Sequence, residues 1–240
     1  AWSHNKPSDF FLVNHVGHNS LREAKDLATH SADRVDAIAA LAPYYFRLSS
    51  LKSLLEYCKE IASCAPNTPF YYYHIPVLTG ANFLMHEFLE LASNEIPNFS
   101  GIKFTNNNLI DYKYCNDYND GAYKILFGFD EILLASLPLG AKGWVGSTYN
   151  HLAPLYLSII EAFQNNDHKL AATLQKKSMK FVDTLNAKGG FNGAAKSFMK
   201  VLGVDCGPSR FPHATLSPKE LKEAKATLEA LGIMDYASHR

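Results

Sequence analysis

Apolar and polar positions along the chain fall into short buried-looking runs separated by amphipathic stretches. Phe10 to Gly17 (FFLVNHVG) is an apolar run closed by a glycine and predicts a strand. Ser20-Leu21-Arg22-Glu23 carries the Ser and Glu of a capping box and opens a helix to about His30. Asp36 to Ala42 predicts a second strand, stopped by Pro43. From about Ser50, Leu51, Leu54, Leu55, Cys58 and Ile61 recur on one helical face. The aromatic run Phe70 to Ile75 predicts a third strand ended by Pro76, and Ala81 to Ala92 the next helix. Gly101 to Thr105 is the fourth strand, Leu109 to about Asn116 a short helix, and Lys124 to Phe129 the fifth strand. A compact helix over Glu131 to Leu139 and a sixth strand over Gly143 to Ser147 follow. Beyond that the pattern is helical only, over 153–164, 168 to about 186, 194–202 and 218–231. The last helix begins with a second capping box, Ser217 to Glu220, with Pro218 at N1.

Strands alternating with helices predict a parallel α/β sheet. Alternation in the fourth strand sends Ile102 and Phe104 to one face and Gly101, Lys103 and Thr105 to the other. A lysine here has two readings. Its ammonium lies at a wet strand end, or it is an amine nucleophile, its pKa lowered by partial desolvation, that forms a Schiff base with a carbonyl substrate. Other reactive side chains also sit at or just past strand C-terminal ends: Tyr73, Thr105, Gly128 with Asp130 and Glu131, and Ser147. That face carries the catalytic residues of a (β/α)8 barrel, whereas an open doubly wound sheet binds ligands at one crevice; contributions from four successive strands favour the barrel. Tyr73 is a core aromatic, or a hydroxyl within reach of an imine on Lys103 one strand away. Asp130 suits the N-cap of the helix it precedes and Glu131 its first turn, while together they can accept hydrogen bonds from vicinal hydroxyls. Ser147 and Thr148 also read as plain strand-end polar residues, and Asn106 to Asn108 as a loop.

Composition narrows the classes. The 240 residues, 47% hydrophobic and 19% charged, describe an ordinary globular chain with equal numbers of Lys+Arg and Asp+Glu, 23 each. No basic surplus points to nucleic acid, no run reaches membrane-spanning length, and the N-terminus has no signal-peptide core. The four cysteines form no CxxC or zinc spacing and read as reduced thiols of a cytoplasmic protein. His86-Glu87 begins like a zincin motif, but Glu90 occupies the place of the second His. No glycine-rich phosphate loop is present.

Phe70-Tyr-Tyr-Tyr-His-Ile-Pro76, Gly101-Ile-Lys-Phe-Thr105, Leu126-Phe-Gly-Phe-Asp-Glu131 and Gly146-Ser-Thr-Tyr-Asn150 together resemble the dihydrodipicolinate synthase/N-acetylneuraminate lyase family of class I aldolases, and within it the animal N-acetylneuraminate lyases. The resemblance runs in order from about Phe11 to the C-terminal helices, including Gly207-Pro-Ser-Arg-Phe-Pro212. It implies a (β/α)8 TIM barrel with extra C-terminal helices. Residues 1–150 would supply strands 3–8 with their helices, and 151–240 the last barrel helix and a helical extension of the same domain. The family's first two βα units, with the Gly-Ser/Thr-Thr-Gly-Glu loop that holds the substrate carboxylate, find no counterpart in this sequence. The resemblance makes Lys103 the Schiff-base lysine, Tyr73 the catalytic tyrosine, and Thr105, Gly128, Asp130, Glu131 and Ser147 substrate contacts. It further implies cleavage of N-acetylneuraminate to pyruvate and N-acetylmannosamine, with no metal or organic cofactor, by a homotetramer. Two other readings stay open: a non-catalytic relative that binds a ligand or partner subunit, and an aldolase for another 2-keto-3-deoxy sugar acid.

Overall fold

The computed structural model describes residues 2–238, and among them five strands form one all-parallel sheet in chain order. The strands are β1 (Val13–His15), β2 (Ala37–Leu41), β3 (Phe70–His74), β4 (Phe99–Phe104) and β5 (Lys124–Phe127). The helices among and before them are α1 (Trp2–Asn5), α2 (Leu21–Ser31), α3 (Leu51–Ala62), α4 (Pro76–Thr79), α5 (Met85–Glu95) and α6 (Leu109–Asp117). After β5 come α7 (Leu133–Ser136), α8 (Tyr149–Gln164), α9 (His168–Asn186), α10 (Phe191–Phe198) and α11 (Pro218–Ala230). The chain divides into two compact units. The first runs to Phe129 and adds Leu139–Gly143; the second comprises Asp130–Pro138 and everything from Trp144 onward. No described helix is long and apolar enough to cross a membrane.

In the first unit, strand alternation sorts side chains into two unlike faces. Ile38, Phe70, Tyr72, Ile102, Phe104, Ile125 and Phe127 point to the helices and are buried. Tyr72 meets Phe88 of α5 at 4.9 Å between ring centroids, and Tyr112 of α6 stands edge-on to Phe104 and Phe127 at 5.5 and 5.0 Å. Each such side chain contributes about 1.5–3 kcal/mol on burial, so this aromatic layer fixes the sheet. The opposite face is small and sparse: Ala37, Ala39 and Tyr71 cluster with Leu126. β3 and β4 do not pair continuously. Phe70 faces Phe99 but Tyr71 faces Gly101, so Ser100 is an extra, bulged residue. A Cβ on Gly101 would collide with the Lys124 carbonyl oxygen, which makes glycine the residue that lets β4 and β5 approach there.

In the second unit, Leu155 and Ile159 of α8 pack with Phe181 and Leu185 of α9, Phe198 of α10 and Leu228 of α11 in one apolar core. The capping box expected at Ser217 forms: Ser217 N donates to Glu220 Oε2 at 2.8 Å, and Glu220 N to Ser217 Oγ at 3.3 Å.

The α/β class and the first five strands agree with the pattern, and three elements differ. The sixth strand forms no ladder. The Gly143 carbonyl accepts from Phe127 N at 2.9 Å, but Trp144 makes only a lone bridge, because Gly143 and Gly146 weaken the segment as a strand. The helix expected from Ala81 begins at Met85. Gly80 turns the chain with φ of +69°, and Leu84 is extended. The buried Asp111 carboxylate then caps α5, accepting from Met85 N at 2.8 Å and His86 N at 3.0 Å. The helix expected over Glu131 to Leu139 is a 3-10 turn (Asp130–Ile132) followed by the short α7.

Candidate active site

The bulge puts Lys103 directly opposite Tyr73, on the sparse face of the sheet and in one register layer with Leu41 and Leu126. Both side chains are half-buried. The Lys103 ammonium lies over the Tyr73 ring, 3.9 Å from its centroid, a contact that holds a cation without a carboxylate. Among the described residues, no Asp or Glu pairs with Lys103, whereas Lys6, Lys25 and Lys59 all have carboxylate partners. An amine on an aromatic face with no counter-ion is free to meet a carbonyl carbon once it loses its proton.

Two further expected residues join this pair. Thr105 N donates to the His74 carbonyl at 2.8 Å, and Gly128 N to the Phe104 carbonyl at 2.8 Å, so both extend the ladder just past the strand ends. A Cβ on Gly128 would collide with Thr105 Oγ1 and lie 3.3 Å from Lys103 Cε, so Gly128 makes room for both side chains. Thr105 Oγ1 is buried and has no hydrogen-bond partner among the described residues. A buried orphan hydroxyl beside the lysine stem suits a group that completes its bonding with a ligand.

The other three expected residues lie in the second unit. Asp130 is buried; its Oδ2 accepts from Thr148 N at 3.0 Å and from the Thr148 hydroxyl, which also meets Tyr156 Oη at 2.7 Å. Its Oδ1 lies against Gly146, where any Cβ would collide with the carboxylate, and it has no hydrogen bond among the described residues. Asp130 thus ties down the turn that carries Ser147, and it does not cap the helix that follows it. Glu131 is half-buried, and burial, with the Asp130 and Asp183 carboxylates nearby, holds its carboxyl above the ordinary range. Ser147 is exposed, and its hydroxyl bonds to no described residue. The chain therefore gathers Tyr73, Lys103, Thr105 and Gly128 in one cluster, and Asp130, Glu131 and Ser147 in another.

Two contributors escaped the sequence reading. Thr148 is the partner that orients Asp130; a Thr after a Gly-Ser pair carries no cue to a carboxylate 18 positions upstream. His15 stands on β1 beside Tyr73, with ring planes at 87° and centroids 6.2 Å apart. Alternation in Val13-Asn-His15 sets the imidazole opposite Asn14, and only the pairing of His15 with Ala39 places it on the Lys103 side of the sheet.

Residues 10–231 match the model of the dihydrodipicolinate synthetase family. The chain is similar to the N-acetylneuraminate lyase of Rattus norvegicus, 36% identical over 228 residues that cover 94% of this chain and 71% of that protein. It is 37% identical to the N-acetylneuraminate lyase of Homo sapiens over 228 residues, again 94% and 71% of the two chains. Among solved structures, the N-acetylneuraminate lyase of Proteus mirabilis superposes with a TM-score of 0.91 at 35% identity, covering 97% of this chain and 78% of that one. The parallel α/β sheet, the family match and the superposition agree: this chain belongs to the dihydrodipicolinate synthetase family of (β/α)8-barrel enzymes.

Proposed function

We propose that this protein is a class I aldolase that cleaves N-acetylneuraminate to pyruvate and N-acetylmannosamine through an imine on Lys103. The observation that carries the reading is the Lys103 ammonium lying on the Tyr73 ring at 3.9 Å without a carboxylate partner among the described residues. Similarity to lyases of that name supplies the substrate.

The chemistry balances with the chain's own groups. The neutral Lys103 amine adds to the keto carbon of the open-chain sugar acid, and loss of water gives an iminium. The C3–C4 bond then breaks. Its electron pair flows into the iminium to form an enamine, while the C4 hydroxyl proton leaves by way of Tyr73 and an aldehyde is released. Protonation of the enamine carbon and hydrolysis return pyruvate and the free amine. Thr105, with its unpartnered hydroxyl, and Gly128 are assigned to substrate contact beside the lysine, and Glu131, Ser147 and the Thr148-anchored Asp130 to the sugar hydroxyls. Borohydride added with pyruvate should leave one reduced pyruvyl adduct, on Lys103. An adduct elsewhere, or none on folded protein, overturns the mechanism.

Self-association as a homotetramer is supported by Tyr44, Tyr45 and Phe46, three consecutive aromatics that are 55%, 76% and 82% exposed. Light scattering that finds a stable monomer at micromolar concentration refutes it. A cytoplasmic location is supported by Cys58, Cys64, Cys115 and Cys206, all unpaired.

A further inference from the structure

His15 lies on the sparse face of the sheet, within the first unit, between the Leu41 amide and the Tyr73 ring. Leu41 N lies 3.2 Å from His15 Nε2, and a backbone amide can only donate. Nε2 therefore carries a lone pair, and the proton of the neutral ring sits on Nδ1. Gly17 makes this pose possible: a Cβ there would lie 2.8 Å from Leu41 N and 2.9 Å from His15 Cε1, wedged between ring and amide. Leu41 is also the register partner of Tyr73, so the amide that pins the imidazole belongs to the residue beside the tyrosine. Among the described residues, His15 is the only aromatic neighbour of the Tyr73 ring, whose face carries Lys103. His15 is exposed overall, and what protein surrounds it, with the Lys103 charge second, lowers its pKa from the ordinary value, the direction that favours the neutral ring the Leu41 bond needs.

We propose that His15 is a positioning residue of the aldolase site: its imidazole, fixed as the Nδ1–H tautomer by the Leu41 amide, sets the Tyr73 ring in the orientation that receives the Lys103 amine. The inference rests on the aldolase reading for its catalytic consequence but not for its geometry, and two kinds of measurement separate them.

Nitrogen-resolved NMR of histidine-labelled protein, with the signal assigned by His15→Gln, should find the Nδ1–H tautomer. A 3-fluorotyrosine resonance assigned by Tyr73→Phe should move in His15→Ala. An Nε2–H tautomer or an unmoved resonance overturns the proposal. In turnover, His15→Ala should lower kcat by up to about 10²-fold, the effect of a misplacement near 1 Å, with KM little changed. In the Tyr73→Phe background the same substitution should add nothing. Equal losses in both backgrounds overturn the proposal. His15→Gln guards against misfolding: its amide oxygen can still accept from Leu41, so it should melt like the wild type and yet release the Tyr73 ring. If it leaves Tyr73 and kcat unchanged, the imidazole is not what positions the tyrosine. A wild-type chain that forms no reducible adduct with pyruvate defeats the aldolase reading while the two NMR results still decide the geometry.

Discussion

Acidification should unfold this protein partly through one buried imidazole. His74 ends β3 on the aromatic face of the sheet, fully buried, with its ring centroid 5.3 Å from that of Phe104 and 6.2 Å from that of Tyr72. Its Nε2 lies 3.2 Å from Asn106 Nδ2, and its Nδ1 has no partner among the described residues. Burial pushes its pKa from 6.5 down to about 4, against a smaller opposing pull from the Asp111 carboxylate. The native ring therefore stays neutral where the unfolded chain's imidazole takes a proton. Between those two values the unfolded state binds more protons, so stability falls as pH falls through 6.5, and the loss levels off below about 4. Integrating over that window gives about 2 kcal/mol lost by pH 5 and about 3 kcal/mol by pH 4. Urea unfolding followed by circular dichroism, near neutral pH and at about pH 4.5, measures the term when wild type is set against His74→Phe. Whatever its absolute stability, the variant should lose about 2–3 kcal/mol less than wild type over the interval. Identical losses would mean that native His74 titrates as it does in the unfolded chain, and the burial argument would fail.

Further predictions follow from the lysine cluster and from the cap of α5. Lys103→Arg keeps the cation over Tyr73 but should abolish turnover and pyruvate trapping together, because a guanidinium forms no imine; a reducible adduct surviving at position 103 contradicts this. Tyr73→Phe should fold normally and lose about 10²–10⁴-fold in kcat while some slow trapping persists; turnover near wild type would return Tyr73 to a packing role. Gly128→Ala should displace the Thr105 hydroxyl and raise KM, since its Cβ collides with that side chain and lies 3.3 Å from the Phe104 carbonyl oxygen and from Lys103 Cε; an unchanged KM contradicts this. Asp111→Ala strips the cap from α5 and strands two inward amides, and should destabilise by about 2–4 kcal/mol in urea titrations.

The strands were legible because each is a short apolar run closed by glycine, proline or asparagine, and the alternation within Gly101 to Thr105 placed Lys103 and Thr105 on the face where they stand. What alternation could not supply was the bulge, since Ser100 lies just ahead of that run and its unpaired state depends on where β3 sits. The start of α5 was misread for a similar reason. Its cap, Asp111, comes from 26 residues downstream of Met85, and no local pattern encodes a partner that tertiary packing delivers. Asp130 was expected either as a helix cap or as a polyol ligand. Its role in holding Thr148 depends on the backbone at Gly146 coming close enough to exclude any side chain. His15 was one of ten scattered histidines until Leu41 N and Gly17 showed why its Nε2 edge turns towards β2.

The bulge at Ser100 gives β4 something like a reading frame. The serine's own side chain does little, bonding only the Asn98 carbonyl at 3.2 Å, so changing the letter at position 100 disturbs one weak bond. Changing the count is another matter. Remove Ile102, just past the bulge, and Lys103 slides back to face Tyr72, which turns every following side chain through the sheet. The Lys103 amine would then be driven onto the face where Tyr112 and Phe127 pack, and Phe104 would take its place beside Tyr73. A single-codon deletion past the bulge would thus exchange the chemistry of one face for the oil of the other, whereas loss of Ser100 itself leaves Gly101 to Phe104 opposite Tyr71 to His74.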